Sequence, residues 1–279
     1  MSISVIIPSY NRRAFLEKAI LSVAGQSLPC NELIIVDGST DKTPELVNAF
    51  AGQLSFPVHY IFQENKGASA ARNAGIKKAS SDYLCFLDSD DRFKADKLAR
   101  QYQEMKTTGC LISHTREIWF RHGKLLNQKK KHQPGQGDIF QKCLKMCVVG
   151  MSTVMAKKEL FDLYGHFDEQ LPCCEDFDFW LRVSVHENFH LVDAPLTVKD
   201  GGRSDQLSVI YKMGMDKYRI KSIKKLLQWA RLTEQQRLTV FKELERKCTI
   251  YGKGCMKHGR EAEGRYYLQI SAEYMAFTK

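Results

Sequence analysis

The sequence predicts an α/β domain followed by a basic helical extension. Three observations carry that expectation. Short β-branched runs alternate with amphipathic segments through the first part of the chain, polar residues gather where the runs end, and helical periodicity alone remains beyond about residue 204. At 279 residues the chain is long enough to bury a full core. The division is expected to fall between residues 1–203 and 204–279.

In chain order, SVIIP (4–8) is a strand stopped by proline, and SYNRR leads from it into a helix whose apolar side is read from Phe15, Ala19, Ile20, Leu21 and Val23. A second strand, Leu33 to Val36, runs into Asp37-Gly-Ser-Thr-Asp41, and a helix follows from about Thr43. Open α/β sheets bind ligands at such carboxyl-end loops. Asp37 is placed to accept hydrogen bonds from a nucleoside or to serve as a turn residue before glycine. The first loop has no glycine-rich turn, which excludes a dinucleotide-binding fingerprint. NKGASAARNAG (65–75) opens an alanine-rich helix whose small residues permit close backbone approach. It keeps Arg72 within reach of an acidic loop or a diphosphate, or else on the surface.

Tyr83 to Asp91, YLCFLDSDD, is an apolar run that empties into three carboxylates. On extended backbone Asp88 and Asp90 point the same way and Asp91 the other. Crowded carboxylates repel unless a positive charge sits among them, and all-oxygen ligation favours Mg2+ or Mn2+ over Zn2+. The same acids also suit a solvated turn ahead of the helix beginning near Ala95. Leu98, Tyr102 and Met105 belong to that helix, Leu111 to Phe120 reads as a strand pair, and Gly123 to Gly137 as a long loop. The second acidic stretch, Glu175-Asp176-Phe177-Asp178, opens a helix continued by Trp180, Leu181 and Arg182. Acids at a helix start are favoured by its dipole, so capping alone would account for their position.

The motifs VIIPSYNR, IIVDGSTDKT, NKGASAARNAGI, FLDSDD and CCEDFDFWLR occur in the order and spacing of family 2 glycosyltransferases, which the first 200 residues resemble. The resemblance implies a GT-A fold, a Rossmann-like mixed sheet flanked by helices, and inverting transfer of a sugar from a nucleotide-diphosphate donor, most simply a UDP-sugar, to a saccharide or lipid-linked acceptor. It implies donor contacts from Pro8, Tyr10, Asn11, Asp37, Arg72, Asp88 and Ser89, with Asp37 at the base and Asp88 at the ribose. It assigns Asp90 to Mg2+ or Mn2+ and Asp176 to the general base. Glu175, Arg182 and Arg203 would support the acceptor side, Arg182 by anchoring the acids. Two departures stand out: one acidic residue precedes GST where the family has two, and Arg203 replaces a frequent histidine.

The formal charge of +10 is uneven. Residues 201–279 hold 17 Lys and Arg against 8 Asp and Glu, whereas residues 1–200 hold 25 against 24. Taken alone such asymmetry fits solvated helix faces first; it also fits an anionic partner, either a phospholipid surface, a lipid-linked phosphate or nucleic acid, for which last no recognition motif is found. The lack of a glycine-rich phosphate loop argues against a nucleotidyltransferase, and the presence of Asp176 against a silent sugar-binding protein. Nine cysteines without paired CxxC spacing point to a reducing compartment and structural thiols. The start lacks the pattern of a secretory signal. A cytoplasmic protein, peripheral at the inner face of the membrane, is therefore expected.

Overall fold

The computed structural model describes residues 2–229 and 231–275. Strands β1 (Ile3–Ser9), β2 (Glu32–Asp37), β3 (Val58–Phe62) and β4 (Tyr83–Phe86) alternate with helices α1 (Arg13–Ala24), α2 (Thr43–Ala51) and α3 (Gly67–Lys78). They form the parallel half of a sheet in the order β3-β2-β1-β4. Next come β5 (Asp91–Phe93), α4 (Lys97–Thr108), β6 (Ile112–Arg121), β7 (Lys124–Leu126), α5 (Phe140–Lys145), β8 (Met155–Lys157), α6 (Glu159–Tyr164), α7 (Glu175–Ser184) and β9 (His190–Gly201). The sheet continues β4-β8-β6-β9-β5, with β8 antiparallel to both neighbours and β6 parallel to β9. The chain closes with α8 (Leu207–Ile210), α9 (Met215–Trp229), α10 (Glu234–Lys257) and α11 (Glu261–Met275).

The period of two along the strands separates two apolar layers. Val5, Ile7, Leu33 and Ile35 face a layer completed by α1, α2 and α4. Ile6, Ile34 and Val36 face the opposite layer, which holds Phe177, Phe179 and Trp180 of α7 and continues without a break into Ile220, Ile223, Leu226, Val240 and Leu244 of α9 and α10. The extension thus shares the core of the α/β part. Close approach of α3 to β1 depends on Gly75, where a Cβ would lie 2.4 Å from Ile6 Cγ2.

Some local expectations change. Leu21 is exposed and Leu16 takes its place in the core, because residues 16, 19, 20 and 23 share the buried stripe of α1. The expected strand pair at 111–120 is one long strand, β6, which turns back at Gly123 into β7, so part of the expected 123–137 loop is a hairpin arm. The capping box of Thr233 and Gln236 is present at the start of α10. Ile220, Ile223, Leu227 and Ala230 mark the first helical stripe of the tail in the sequence; the first three lie in α9, and Ala230 lies outside the described residues.

Lys97 is fully buried where α4 meets the turn before β8. Its Nζ donates to Gln101 Oε1 (2.6 Å) and to the Val154 carbonyl (3.3 Å), and it lies over the Phe93 ring. Burial lowers its pKa from 10.5 to about 8. A depressed folded-state pKa gives stability that is present above pH 10.5 and lost as pH falls through 8. The stability of the wild type relative to Lys97→Met should therefore rise by ~3 kcal/mol between pH 8 and pH 10.5, at about 1.4 kcal/mol per unit. Urea denaturation of both proteins across that range checks this; a constant difference would show that Lys97 is not held in a desolvated charged state.

Candidate active site

The site lies where β1, β2 and β4 end side by side, facing the start of α7. The register that pairs Ser9 with Asp37 brings the first two loops together, and the Leu87 amide bonded to the Ile6 carbonyl adds the third. Asn11, at φ 52°, turns the chain out of β1 in the left-handed region that asparagine tolerates. Its backbone N–H donates to Ser39 Oγ (2.7 Å) and its side-chain oxygen accepts from the Thr40 amide (3.0 Å), tying the SYN loop to the GST loop. Asp37 is fully buried and accepts hydrogen bonds from Ser39 Oγ (2.5 Å) and Tyr60 Oη (2.9 Å). Beside it the buried Ser9 Oγ has no protein partner. Pro8 sits at the end of β1, and Tyr10 is exposed just beyond it.

Arg72 joins the two halves of the site. It is only 4% exposed, and α3 aims its guanidinium between Asp88 Oδ1 (2.8 Å) and Glu175 Oε1 (2.6 Å), with the Phe167 ring against it. Burial pushes the Asp88 carboxyl up, but Arg72 and then Lys199 outweigh it and hold the group below its ordinary value. Glu175 goes the other way: its burial is only partly offset by Arg72, and its pKa is raised. Glu175, expected to support the acceptor side, is a buried anchor for Arg72.

The three clustered aspartates separate. Asp91 opens β5, is buried, and accepts from Ser152 Oγ (2.6 Å), which in turn accepts from the Asp88 amide (3.0 Å). Burial pushes its carboxyl well up. Asp88 and Asp90 remain toward the cleft, with Ser89 buried between them. Asp90 pairs with Arg203, whose guanidinium also donates to the Asp200 carbonyl (2.8 Å), approaches Asp205 (3.5 Å) and covers the Phe15 ring. Lys199, paired in register with Asp91 across β5 and β9, is the cation in the floor. Glu117, 3.6 Å away, and then Asp91, Asp88 and Asp176 hold its ammonium protonated well above its usual range.

Asp176 stands in the first turn of α7, which begins after Cys174 in the left-handed region. The Phe177 amide donates to Asp176 Oδ1 (2.6 Å) and Cys147 Sγ donates to Oδ2 (3.2 Å). Arg182 anchors one of the acids of this stretch, as expected, but that acid is Asp178 and not Asp176. One helical turn beyond Asp178, it meets Asp178 (3.2 Å) and the carbonyls of Tyr164 and His166, while Lys225 holds the other Asp178 oxygen at 3.2 Å. Asp178 is thus a structural carboxylate, and Arg182 its partner.

The sequence reading missed Tyr60, Ser39, Ser152, Lys199 and Cys147. Ser39 lies within the quoted GST and Lys199 four residues before Arg203, but nothing local marks their partners. Tyr60, Ser152 and Cys147 reach their carboxylates only through the fold. Among the described residues, no group of three or more His, Cys, Asp or Glu forms a metal cage. The chemistry of the donor set nevertheless fits a hard divalent ion, since Mg2+ is commonly held by one or two carboxylates with substrate phosphates completing its shell. Asp90, which is paired with Arg203, is the carboxylate that would hold such an ion.

A family model described as Glycosyl transferase family 2 matches residues 4–167. A Rickettsia felis protein named "Uncharacterized glycosyltransferase" is 33% identical over 202 residues, covering 70% of this chain and 32% of that protein. A Bacillus subtilis protein named "Putative teichuronic acid biosynthesis glycosyltransferase TuaG" is 36% identical over 159 residues, covering 56% of this chain and 62% of that one. The chain's match spans only 26% to 32% of the length of the Rickettsia felis, Rickettsia bellii and Rickettsia conorii relatives. Among solved structures, S. aureus TarS 1-349 in complex with UDP-GlcNAc aligns with a TM-score of 0.65 at 16% identity, over 99% of this chain and 92% of that one. The mannosyltransferase PcManGT from Pyrobaculum calidifontis, in complex with GDP-Man and Mn2+, aligns with a TM-score of 0.63 at 14% identity, over 98% and 85%. These likenesses show the GT-A fold.

Arg72→Met should cost about 3 to 5 kcal/mol at pH 7, because it strands two carboxylates at a buried ion pair. The pH dependence follows from both partners. Asp88, with its pKa depressed in the wild type, gives stability that is lost as pH falls; Glu175, with its pKa raised, relieves the variant by protonating as pH falls. The penalty should therefore shrink toward acid, measured as urea midpoints of both proteins at pH 7 and pH 5. A penalty that grows toward acid would contradict this pairing.

Proposed function

The chain belongs to glycosyl transferase family 2, and on that premise we propose that it transfers a sugar, with inversion, from a nucleotide-diphosphate donor to a saccharide or lipid-linked acceptor. The observation that supports this reading is the Arg72 bridge, which ties Asp88, the carboxylate we assign to the ribose, to Glu175 at the opening of α7, where Asp176 stands. Residues 1–203 are the proposed transferase unit. In this reading Asp37, held by Tyr60 and Ser39, receives the base near the unpaired Ser9 hydroxyl. Asp88 receives the ribose, with Pro8, Tyr10, Asn11 and Ser89 shaping the pocket. A UDP-sugar is the proposed donor, although the neighbouring structures hold UDP-GlcNAc in one case and GDP-Man in the other.

Asp176 takes the proton from the acceptor hydroxyl as that oxygen attacks the anomeric carbon, and the nucleoside diphosphate departs with the electron pair of the broken bond. Mg2+ or Mn2+, held by Asp90 and the diphosphate, would supply charge neutralisation to the leaving group. Arg203 and Lys199 lie close enough to the same acids to stabilise the departing phosphates from the protein side. The relative named for teichuronic acid synthesis supports a cell-surface polymer as the product class.

The test is thermal stabilisation by a panel of nucleotide sugars with and without Mn2+, since a ligand of the folded state must raise its apparent stability. UDP should stabilise the wild type, and Asp90→Ala should lose the Mn2+-dependent part; an unchanged Mn2+ effect would remove Asp90 from the metal. With donor and acceptor in hand, Asp176→Asn should bind UDP as before while transfer falls by about 10² to 10⁴. Wild-type turnover in that variant would reduce Asp176 to a helix cap.

A further inference from the structure

Directly after Arg203 the chain makes a feature that the transfer chemistry does not use. Leu207, Val209, Ile210 and Met213 are 43%, 43%, 59% and 65% exposed. Exposed apolar residues scattered singly are ordinary, but four within seven residues are not. They stand on a rigid frame. Backbone bonds run through the segment from Ile210 to Gln206, Tyr211 to Leu207 and Gly214 to Tyr211, and the Tyr211 ring packs edge-on against Tyr218 of α9 at 5.8 Å. The same segment is tied to the cleft, because Asp205 pairs with Arg12 and Gln206 Oε1 accepts from the Gly202 amide (2.8 Å).

The charge beside it is lopsided. Residues 203–231 hold eight Lys and Arg against two Asp. Arg219 is used by Asp216, and Lys225 by Asp168 and Asp178. Lys217, Lys221 and Lys224 form no salt bridge among the described residues, although Lys221 lies near enough to Asp168 to help hold that carboxyl below its ordinary value. At 100° per residue these three share one face of α9, with Ser222, Ile223 and Leu226 buried opposite and Ile220 buried at the edge of the stripe beside Lys224. Tyr211 and Tyr218 place the apolar turn at the head of this lysine stripe, and Lys217 lies over the Tyr218 ring.

We propose that the apolar turn at 207–213 and the lysine face of α9 form one docking surface for an anionic lipid bilayer, which seats the mouth of the cleft at the membrane. The charge complementarity selects the lipid class, and the four apolar side chains reach below the headgroups, as in interfacial helices that combine apolar burial with attraction to anionic lipid. Docking itself stands on these residues alone. The consequence for substrate, a lipid-linked acceptor delivered from the bilayer, rests on the transferase reading of the adjoining cleft.

The experiment is co-sedimentation of the full chain with vesicles of phosphatidylcholine alone and of equal parts phosphatidylcholine and phosphatidylglycerol, at low and high salt. Wild-type protein should pellet with the anionic vesicles and be released by salt. The triple variant Lys217→Glu, Lys221→Glu, Lys224→Glu should lose partitioning on the order of 10²-fold. Leu207→Ser, Ile210→Ser, Met213→Ser should lose about tenfold or more. Both variants should keep their stabilisation by UDP and Mn2+, which certifies folding. Equal pelleting with neutral vesicles, or wild-type partitioning in both variants, overturns the proposal. So does a surface on which only the lysines matter and which binds random duplex DNA as tightly as vesicles. If UDP does not stabilise even the wild type while partitioning behaves as stated, the docking surface stands and the transferase reading falls.

Discussion

The site depends on one buried guanidinium serving two carboxylates that belong to different parts of the chain. Arg72 is held by α3, Asp88 by the loop after β4, and Glu175 by the first turn of α7. Removing either carboxylate, or the arginine, would leave a buried charge without its partner, the costly half of the ion-pair balance. The constraint is therefore more than local. It sets how far the opening of α7 stands from the loops that end β1, β2 and β4, and so fixes Asp176 against the donor side. Gly75, one turn further along α3, lets that helix lie close enough to Ile6 of β1 for Arg72 to reach.

Around this bridge the acids are sorted by environment. Asp91 is buried with Ser152, Asp88 is kept ionised by Arg72, and Asp90 is left toward the cleft with Arg203. Lys199 adds a cation between them. Three carboxylates within four residues are tolerable because cations from α3, β9 and the loop after β9 lie among them. In the proposed reaction the same cations would face the departing diphosphate. Arg203 is then a pivot: in contact with Asp90 it occupies the carboxylate that a divalent ion would use, and its loop leads directly into the apolar turn at 207–213.

Much of the fold was legible because period and punctuation agree. The β-branched runs at 4–8 and 33–36, the small residues of α3, and the Thr233 and Gln236 capping box lie where the chain places them. Asp91 does part from Asp88 and Asp90, but through a turn closed by the Asp91 amide on the Asp88 carbonyl (2.9 Å) and not through the strand alternation expected for extended backbone. What was not legible depends on long-range partners. Leu21 is as apolar as Leu16 and misses the core by its angle on α1. Arg182 lies near Asp176 in sequence, but its spacing of four from Asp178 decides its partner. Cys147 and Tyr60 carry no mark of function until folding brings them to Asp176 and Asp37. Sugar specificity is illegible for the same reason, since it lies in side chains gathered from several loops.

The account rests on the cleft between the carboxyl ends of β1, β2 and β4 and the start of α7 as the seat of a nucleotide-sugar donor. The most direct measurement is a crystal structure with UDP and Mn2+ bound. It should place the uracil against Asp37, the ribose at Asp88 with the Arg72 bridge intact, and the ion on Asp90 with Arg203 displaced toward the diphosphate. UDP bound elsewhere, or bound in this cleft with Arg72 withdrawn from both Asp88 and Glu175, would contradict it.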